Sequence, residues 1–210
     1  NGLRFGVFPK WMNEAPATEV DREAVKQLQS LGMVPVELTW PDIPHNALMT
    51  ILFSEAAAAF EDFTLTGKAK ELKAQVPDAW PNIFRMSRFL SAVDFVQGDR
   101  VRRRFAEELA ALVSKVDVML VPSLRDESLT VTNFTGHPSL TVRTGFVNVS
   151  EARSDWAPDP KNPLPKFSTP RRVPHGVTLI GRLFDEGTVM RAGIALERAA
   201  GVAGQRPSGF

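Results

Sequence analysis

The rhythm of apolar and polar positions changes most sharply between Pro174 and Glu186. Val177, Leu179 and Ile180, with β-branched Thr178, make a short apolar run bounded by Gly176 and Gly181, which predicts a strand buried in a sheet. Asp185 then stands where an N-cap would accept hydrogen bonds from the first free amides of a helix. Val189, Ala192, Leu196 and Ala199 recur at helical spacing, and Gly201 supplies the stop.

The start of the chain follows a similar logic. Arg4 to Phe8 reads as a buried strand, and Pro9 with a turn around Trp11, Met12 and Asn13 leads to a helix. On that helix Ala17, Val20, Ala24, Leu28 and Leu31 share one face, with Asp21, Glu23 and Lys26 turned mostly outward. Gly32 ends it, and Val34 to Leu38 predicts a second strand in which Pro35 marks an edge or an end, since proline cannot donate to the ladder. Strand, helix, strand in this order predicts a parallel pair with a right-handed crossover.

From Pro44 to about Leu72 an alanine-rich run predicts one long helix, interrupted by Pro77 and Pro81. A second helical stretch runs from near Ser87 to Ser114, with Val101, Phe105, Leu109, Leu112 and Val113 on one stripe and Gly98 dividing it. Asp117 precedes a third strand, and Pro122-Ser123 opens a polar loop of the kind that lines sites at strand ends. Asn148 to Pro174 is dense in proline and reads as a long surface excursion, and the residues after Gly201 read as a frayed tail. The expected fold class is α/β, a mixed and largely parallel sheet flanked by helices. One domain covers 1–203, with the excursion at 148–174 and a flexible tail at 204–210.

Composition narrows the function classes. Lysine plus arginine number 25 against 24 aspartate plus glutamate, so no long-range field recruits nucleic acid or anionic lipid, and neither partner is expected. Arg100, Arg102, Arg103 and Arg104 suggest a phosphate site until Glu107 and Glu108, one turn on, make a solvated face the better reading. The chain has no cysteine, which removes disulfides and thiolate chemistry. No apolar run approaches the roughly 20 residues that cross a bilayer, and the N-terminus lacks a signal-peptide layout, so the chain reads as soluble with no membrane partner; the composition is silent about compartment, and cytoplasmic is the expectation adopted. The chain enters a strand almost at once after Asn1-Gly2, which reads as a piece of something longer.

Candidate chemistry is sparse. His45, His137 and His175 have no metal-ligand spacing, and no glycine-rich phosphate loop is present; no metal or cofactor is expected. Ser139, His137 and Asp126 offer a formal triad, but a lone serine and histidine two apart arise often by accident. Ser-x-x-Lys and Gly-x-Ser-x-Gly do not occur.

Several runs carry a resemblance. The glycine, apolar strand and Gly181-Arg182-Leu183-Phe184-Asp185-Glu186 before a helix resemble the C-terminal end of the amidase signature family. Val116 to Ser123 resembles its Asp-x-Leu-x-x-Pro-Thr strand, Thr132 to Val142 its Thr-Asn-x-x-Gly-x-Pro-Ala segment, and Leu3 to Phe8 the strand that follows its catalytic region. Arg143 replaces a usual proline and Thr178 a usual glutamine.

The resemblance implies a C-terminal half whose Ser-Ser-Lys catalytic segment lies in a missing N-terminal half. That half is the first expected partner and a small-molecule amide the expected substrate. No catalytic residue is expected within this chain, only pocket residues: Asn133, Thr135 and Gly136, read as a glycine-containing loop that orients a serine or a substrate amide, with Trp11 and Phe134 as contacts whose commoner role is core or lid. The alternatives are a non-catalytic binding or assembly module, or part of the A-type component of a tRNA-dependent amidotransferase. A half-sheet also exposes an edge, so self-association through it is expected.

Overall fold

Among the described residues, five strands form one sheet in the order β2-β1-β3-β5-β4: β1 (Arg4–Val7), β2 (Val34–Glu37), β3 (Val118–Pro122), β4 (Ser139–Glu151) and β5 (Lys166–Gly181). The structure is a computed structural model that describes residues 2–153 and 163–206. β1 pairs in parallel with both β2 and β3, while β5 runs antiparallel to β3, with Gly181 opposite Val118 and Val177 opposite Pro122. Thr141 meets Thr178 and the Ala152 amide donates to the Pro165 carbonyl, so β4 and β5 run in opposite directions. The sheet is therefore mixed, as expected, with parallel pairing confined to β2, β1 and β3.

Contacts divide the chain into two compact units, residues 1–42, 105–149 and 171–210 in the first and 43–104 and 150–170 in the second. In the first unit α1 (Pro9–Met12) and α2 (Glu19–Ser30) follow β1, α7 (Asp126–Thr135) follows β3, and α8 (Glu186–Ala200) follows β5. Strand alternation places Phe5, Val118, Leu120, Val177 and Leu179 on one face. There they share a core with Ala24 and Leu28 of α2 and with Val189, Ala192 and Leu196 of α8, each large side chain contributing about 1.5–3 kcal/mol through its burial. Asp185 caps α8 by accepting from the Thr188 amide, and Gly201 ends it in the left-handed region. Beyond it, the Arg143 guanidinium donates to the carbonyls of Val202 and Ala203, which ties down the first residues of the segment read as frayed.

Four expectations need correction. Asp21 is fully buried rather than outward, because its carboxylate closes the N-terminus of α2 and meets a histidine from β5. Among its described residues the excursion is mostly strand: 148–151 belong to β4 and 166–174 to β5, with 154–162 outside the described residues. Proline is tolerated there because β3 partners only Val177–Gly181 of β5, leaving the half with Pro170 and Pro174 at an edge. Residues 133–135 lie in α7 rather than in a loop.

The fourth correction concerns the second unit. The helix expected from Pro44 to Leu72 is broken into a 3-10 turn at His45–Leu48, α3 (Met49–Ala59), α4 (Glu61–Leu65) and a further 3-10 turn at Lys68–Glu71. Gly67 reverses the chain with φ +81° between the last two. α5 (Trp80–Met86) follows, and its Phe84 stacks on Phe60 with ring centroids 4.7 Å apart. α6 (Ala92–Val113) passes through Gly98 unbroken. A Cβ there would stand 3.1 Å from Ile51 Cγ1, so the glycine serves the close approach to α3.

Candidate functional site

Because β1, β2 and β3 are parallel, their carboxyl ends lie at one end of the sheet, where open α/β sheets collect ligands. Phe8, Trp11 and Trp40 follow β1 and β2 there and form an aromatic cluster, with Trp11 centred 4.8 Å from both others. Trp11 is only 4 % exposed, so it forms the floor of this region rather than a free platform. Beyond β3, Arg125 stacks over the Trp11 ring at 4.8 Å, donates to the Ala15 carbonyl at 3.0 Å and pairs with Glu14. Glu127 Oε2 lies 2.7 Å from Arg125 Nε but off its N–H direction, so this contact is electrostatic rather than a hydrogen bond. Two carboxylates thus neutralise one buried guanidinium, which fixes the first turn of α7 against α1.

Ser123, Thr178 and Thr141 add a short row of hydroxyls. Thr178 Oγ1 donates to Ser123 Oγ at 3.3 Å and shares a 2.9 Å bond with Thr141 Oγ1. Threonine, where the family resemblance expects glutamine at 178, leaves room and a hydroxyl that either donates or accepts. Such a row can orient a carboxamide, but with no base bonded to it in the described residues it cannot activate a nucleophile.

α7 then carries the chain away from this end. Ten residues at 1.5 Å each give about 15 Å. Asn133 is exposed, Phe134 and Thr135 are half-buried on the last turn, and Gly136 closes the helix with φ +78°. Pro138 accepts from the Gly181 amide, and Gly181 pairs with Val118, the first residue of β3. Asn133, Phe134, Thr135 and Gly136 therefore stand together at the amino end of β3, and Trp11 stands at its carboxyl end. Sequence reasoning marked Ser123 and Thr178 in passing but gave no signal for Arg125, whose partners Ala15 and Glu14 are more than a hundred positions away.

The formal triad is not assembled. Ser139 Oγ contacts the His137 carbonyl at 3.4 Å rather than the ring, and Asp126 begins α7 at its other end. Thr135 donates its hydroxyl to the Val131 carbonyl, so His137 Nδ1, 2.8 Å away, carries the proton and donates to Thr135. In the neutral ring Nε2 is then the acceptor, and the ring stands beside a cavity of about 470 Å³ lined also by Arg182, Leu183, Ser114 and Val113. Burial holds its pKa below the ordinary histidine value. Below an ordinary value of about 6.5 the unfolded chain binds a proton that folded His137 refuses, so stability is lost as pH falls from there. Melting temperature measured from pH 7.5 to 5 should fall less steeply in His137→Gln than in the parent chain.

Asp21 and His175 form a second buried pair in the same unit. Asp21 Oδ2 accepts from His175 Nε2 at 2.7 Å, from the Thr18 amide at 2.7 Å and from Thr18 Oγ1 at 2.8 Å, while its Oδ1 has no partner. Burial raises its pKa, but the hydrogen bonds from His175 and Thr18 outweigh burial and hold the carboxyl below the usual range. Among the described residues no three acidic or histidine side chains gather as metal ligands, and no helix is long and apolar enough to cross a membrane.

A mixed α/β sheet with an aromatic floor and a hydroxyl row at its carboxyl end defines a scaffold that presents a polar wall. The chain belongs to the amidase family, whose family model matches residues 1–190. It is 24% identical to a fatty acid amide hydrolase of Medicago truncatula, over 98% of this chain and 34% of that protein. It is 28% identical to the A-type component of a glutamyl-tRNA(Gln) amidotransferase from Brevibacillus brevis, over 98% of this chain and 46% of the other. Among solved structures, a bacterial aryl acylamidase of the amidase signature family superposes with a TM-score of 0.67 at 17% identity, over 99% of this chain and 46% of that one. The peptide amidase of Stenotrophomonas maltophilia gives 0.66 at 18%, over 100% and 45%. These two share the fold. The chain spans between a third and a half of the length of these relatives.

Proposed function

We propose that this chain is the C-terminal part of an amidase-type hydrolase that cleaves carboxamide C–N bonds, in which it completes the sheet and one wall of the substrate pocket. The Ser-Ser-Lys triad comes, in this reading, from residues that precede Asn1. The observation that carries it is the pairing of family membership over residues 1–190 with hydroxyls that, among the described residues, have no base bonded to them at the carboxyl end of the sheet. Trp11, Ser123 and Thr178 are the residues we place beside the substrate. Asn133, Phe134, Thr135 and Gly136 join them only if the preceding half brings substrate to the amino end of β3. β4, with β5 on one side only, offers the edge to which that half, or a second copy of this chain, adds strands.

A second reading, part of a tRNA-dependent amidotransferase, is favoured by the match to the Brevibacillus brevis protein along nearly the whole chain. The intact mass of the native protein from its source tests the first reading. About twice the 23.2 kDa of these 210 residues is expected, and a mass equal to it would leave a binding or assembly module without a nucleophile.

A further inference from the structure

A tight turn joins β5 to α8, in which the Asp185 amide donates to the Arg182 carbonyl at 3.1 Å across Leu183 and Phe184. Phe184 takes φ +64° there, and among the described residues it is the one non-glycine residue in the left-handed region. Glycine is the usual occupant of such a turn position, so the phenylalanine is held under strain. Its ring nevertheless stands 92 % exposed. A scattered apolar side chain on a surface is ordinary, but a strained backbone that presents an aromatic ring to water points to a contact made outside these residues. Leu183 beside it is also exposed, stands over Gly136 at the end of α7 and lines the cavity next to His137. Ring and recess are one residue apart.

This turn lies where the chain enters the sheet. The Arg4 amide, at the start of β1, donates to Asp117 Oδ2 at 2.7 Å, and Asp117 Oδ1 is 3.5 Å from the guanidinium of Arg182, which opens the turn. Four residue steps reach at most about 14 Å, so a segment that precedes Asn1 starts within that distance of Arg4. We propose that this preceding segment packs against Leu183 and Phe184, covering the Phe184 ring with apolar side chains of its own, so that burial offsets the strain of the turn only in the longer protein. The inference rests on the hydrolase reading, in which residues precede Asn1, and adds to it a contact separate from the β4 edge.

Phe184→Gly distinguishes the two settings, because glycine adopts φ +64° without strain and removes the ring. In the 210-residue chain the variant should melt at the same temperature or up to about 4 °C higher. In the native protein it should melt at least about 3 °C lower, since a buried phenylalanine is lost. p-Benzoylphenylalanine placed at position 184 of the native protein should, on irradiation, cross-link within one molecule to a peptide that precedes Asn1. A native variant that melts no lower than its parent, an equal fall in the 210-residue chain, no cross-link, or a cross-link only to a second copy, to lipid or within residues 1–210 would each overturn the anchor and leave the hydrolase reading standing. A native mass of 23.2 kDa would overturn both.

Discussion

Replacing His175 by alanine is expected to destabilise the chain by about 3 kcal/mol, the upper part of the range for a hydrogen bond to a charged group. Thr18 still donates twice to the Asp21 carboxylate after the change, which keeps the loss from being larger. For a chain of this size the melting temperature should fall by roughly 6–12 °C. The pH dependence should move as well. In the parent chain Asp21 has a depressed pKa, so its contribution is present above the ordinary aspartate value and is lost as pH falls through the depressed one. His175→Ala removes the strongest hydrogen bond that offsets burial, so the Asp21 pKa rises and acid unfolding begins at a higher pH. Asp21→Asn with His175→Ala, measured with both single variants by thermal and acid melts, isolates the pair. Additive losses would show that the 2.7 Å contact contributes nothing.

Gly176→Ala is the second large effect. A Cβ at this position would stand 2.1 Å from the Val142 carbonyl oxygen and 2.8 Å from its carbon, both backbone atoms of the neighbouring strand. No side chain can swing aside, so β4 must shift against β5 at the point where the buried part of the hairpin begins. A loss on the order of 3 kcal/mol is expected, at the upper end of overpacking costs. Gly187→Ala provides the comparison: nothing lies within 4 Å of its Cβ, and in the first turn of α8 alanine is the better helix former. Urea unfolding of the two variants should separate them clearly. Equal midpoints would mean that the hairpin does not pack as described.

The elements with strong local chemistry were legible in the sequence. The apolar run at Val177–Ile180, the Asp185 cap and the Gly201 stop need only their neighbours to be read, and they formed as expected. Pro35 correctly marked β2 as an edge. Asp21 was misread for a physical reason. Its spacing to Ala17, Ala24 and Leu28 places it on the core face, yet a charge there is implausible until its partner is known. That partner, His175, lies 154 positions away. The proline-rich stretch misled in a similar way, since proline excludes a central strand but not the half of a strand that has a single neighbour.

α7 carried weak signals because Thr130, Val131, Thr132 and Thr135 are poor helix formers. The acidic first turn at Asp126 and Glu127 and the stop at Gly136 followed by Pro138 were the available clues. Reading 133–136 as a loop followed from missing that helix. Arg125 could not be found by pattern at all. Its role is set by Ala15 and Glu14, brought to it by the parallel pairing of β1 and β3.

The central claim is that this chain shapes an amide pocket without supplying the nucleophile. The direct measurement is to label the native protein with a fluorophosphonate, which modifies activated serines, and to map the modified peptide by mass spectrometry. Modification of a serine preceding Asn1, with every serine from Ser30 to Ser208 unmodified, is the predicted result. Modification of Ser123, Ser139 or any other serine of these 210 residues would contradict it.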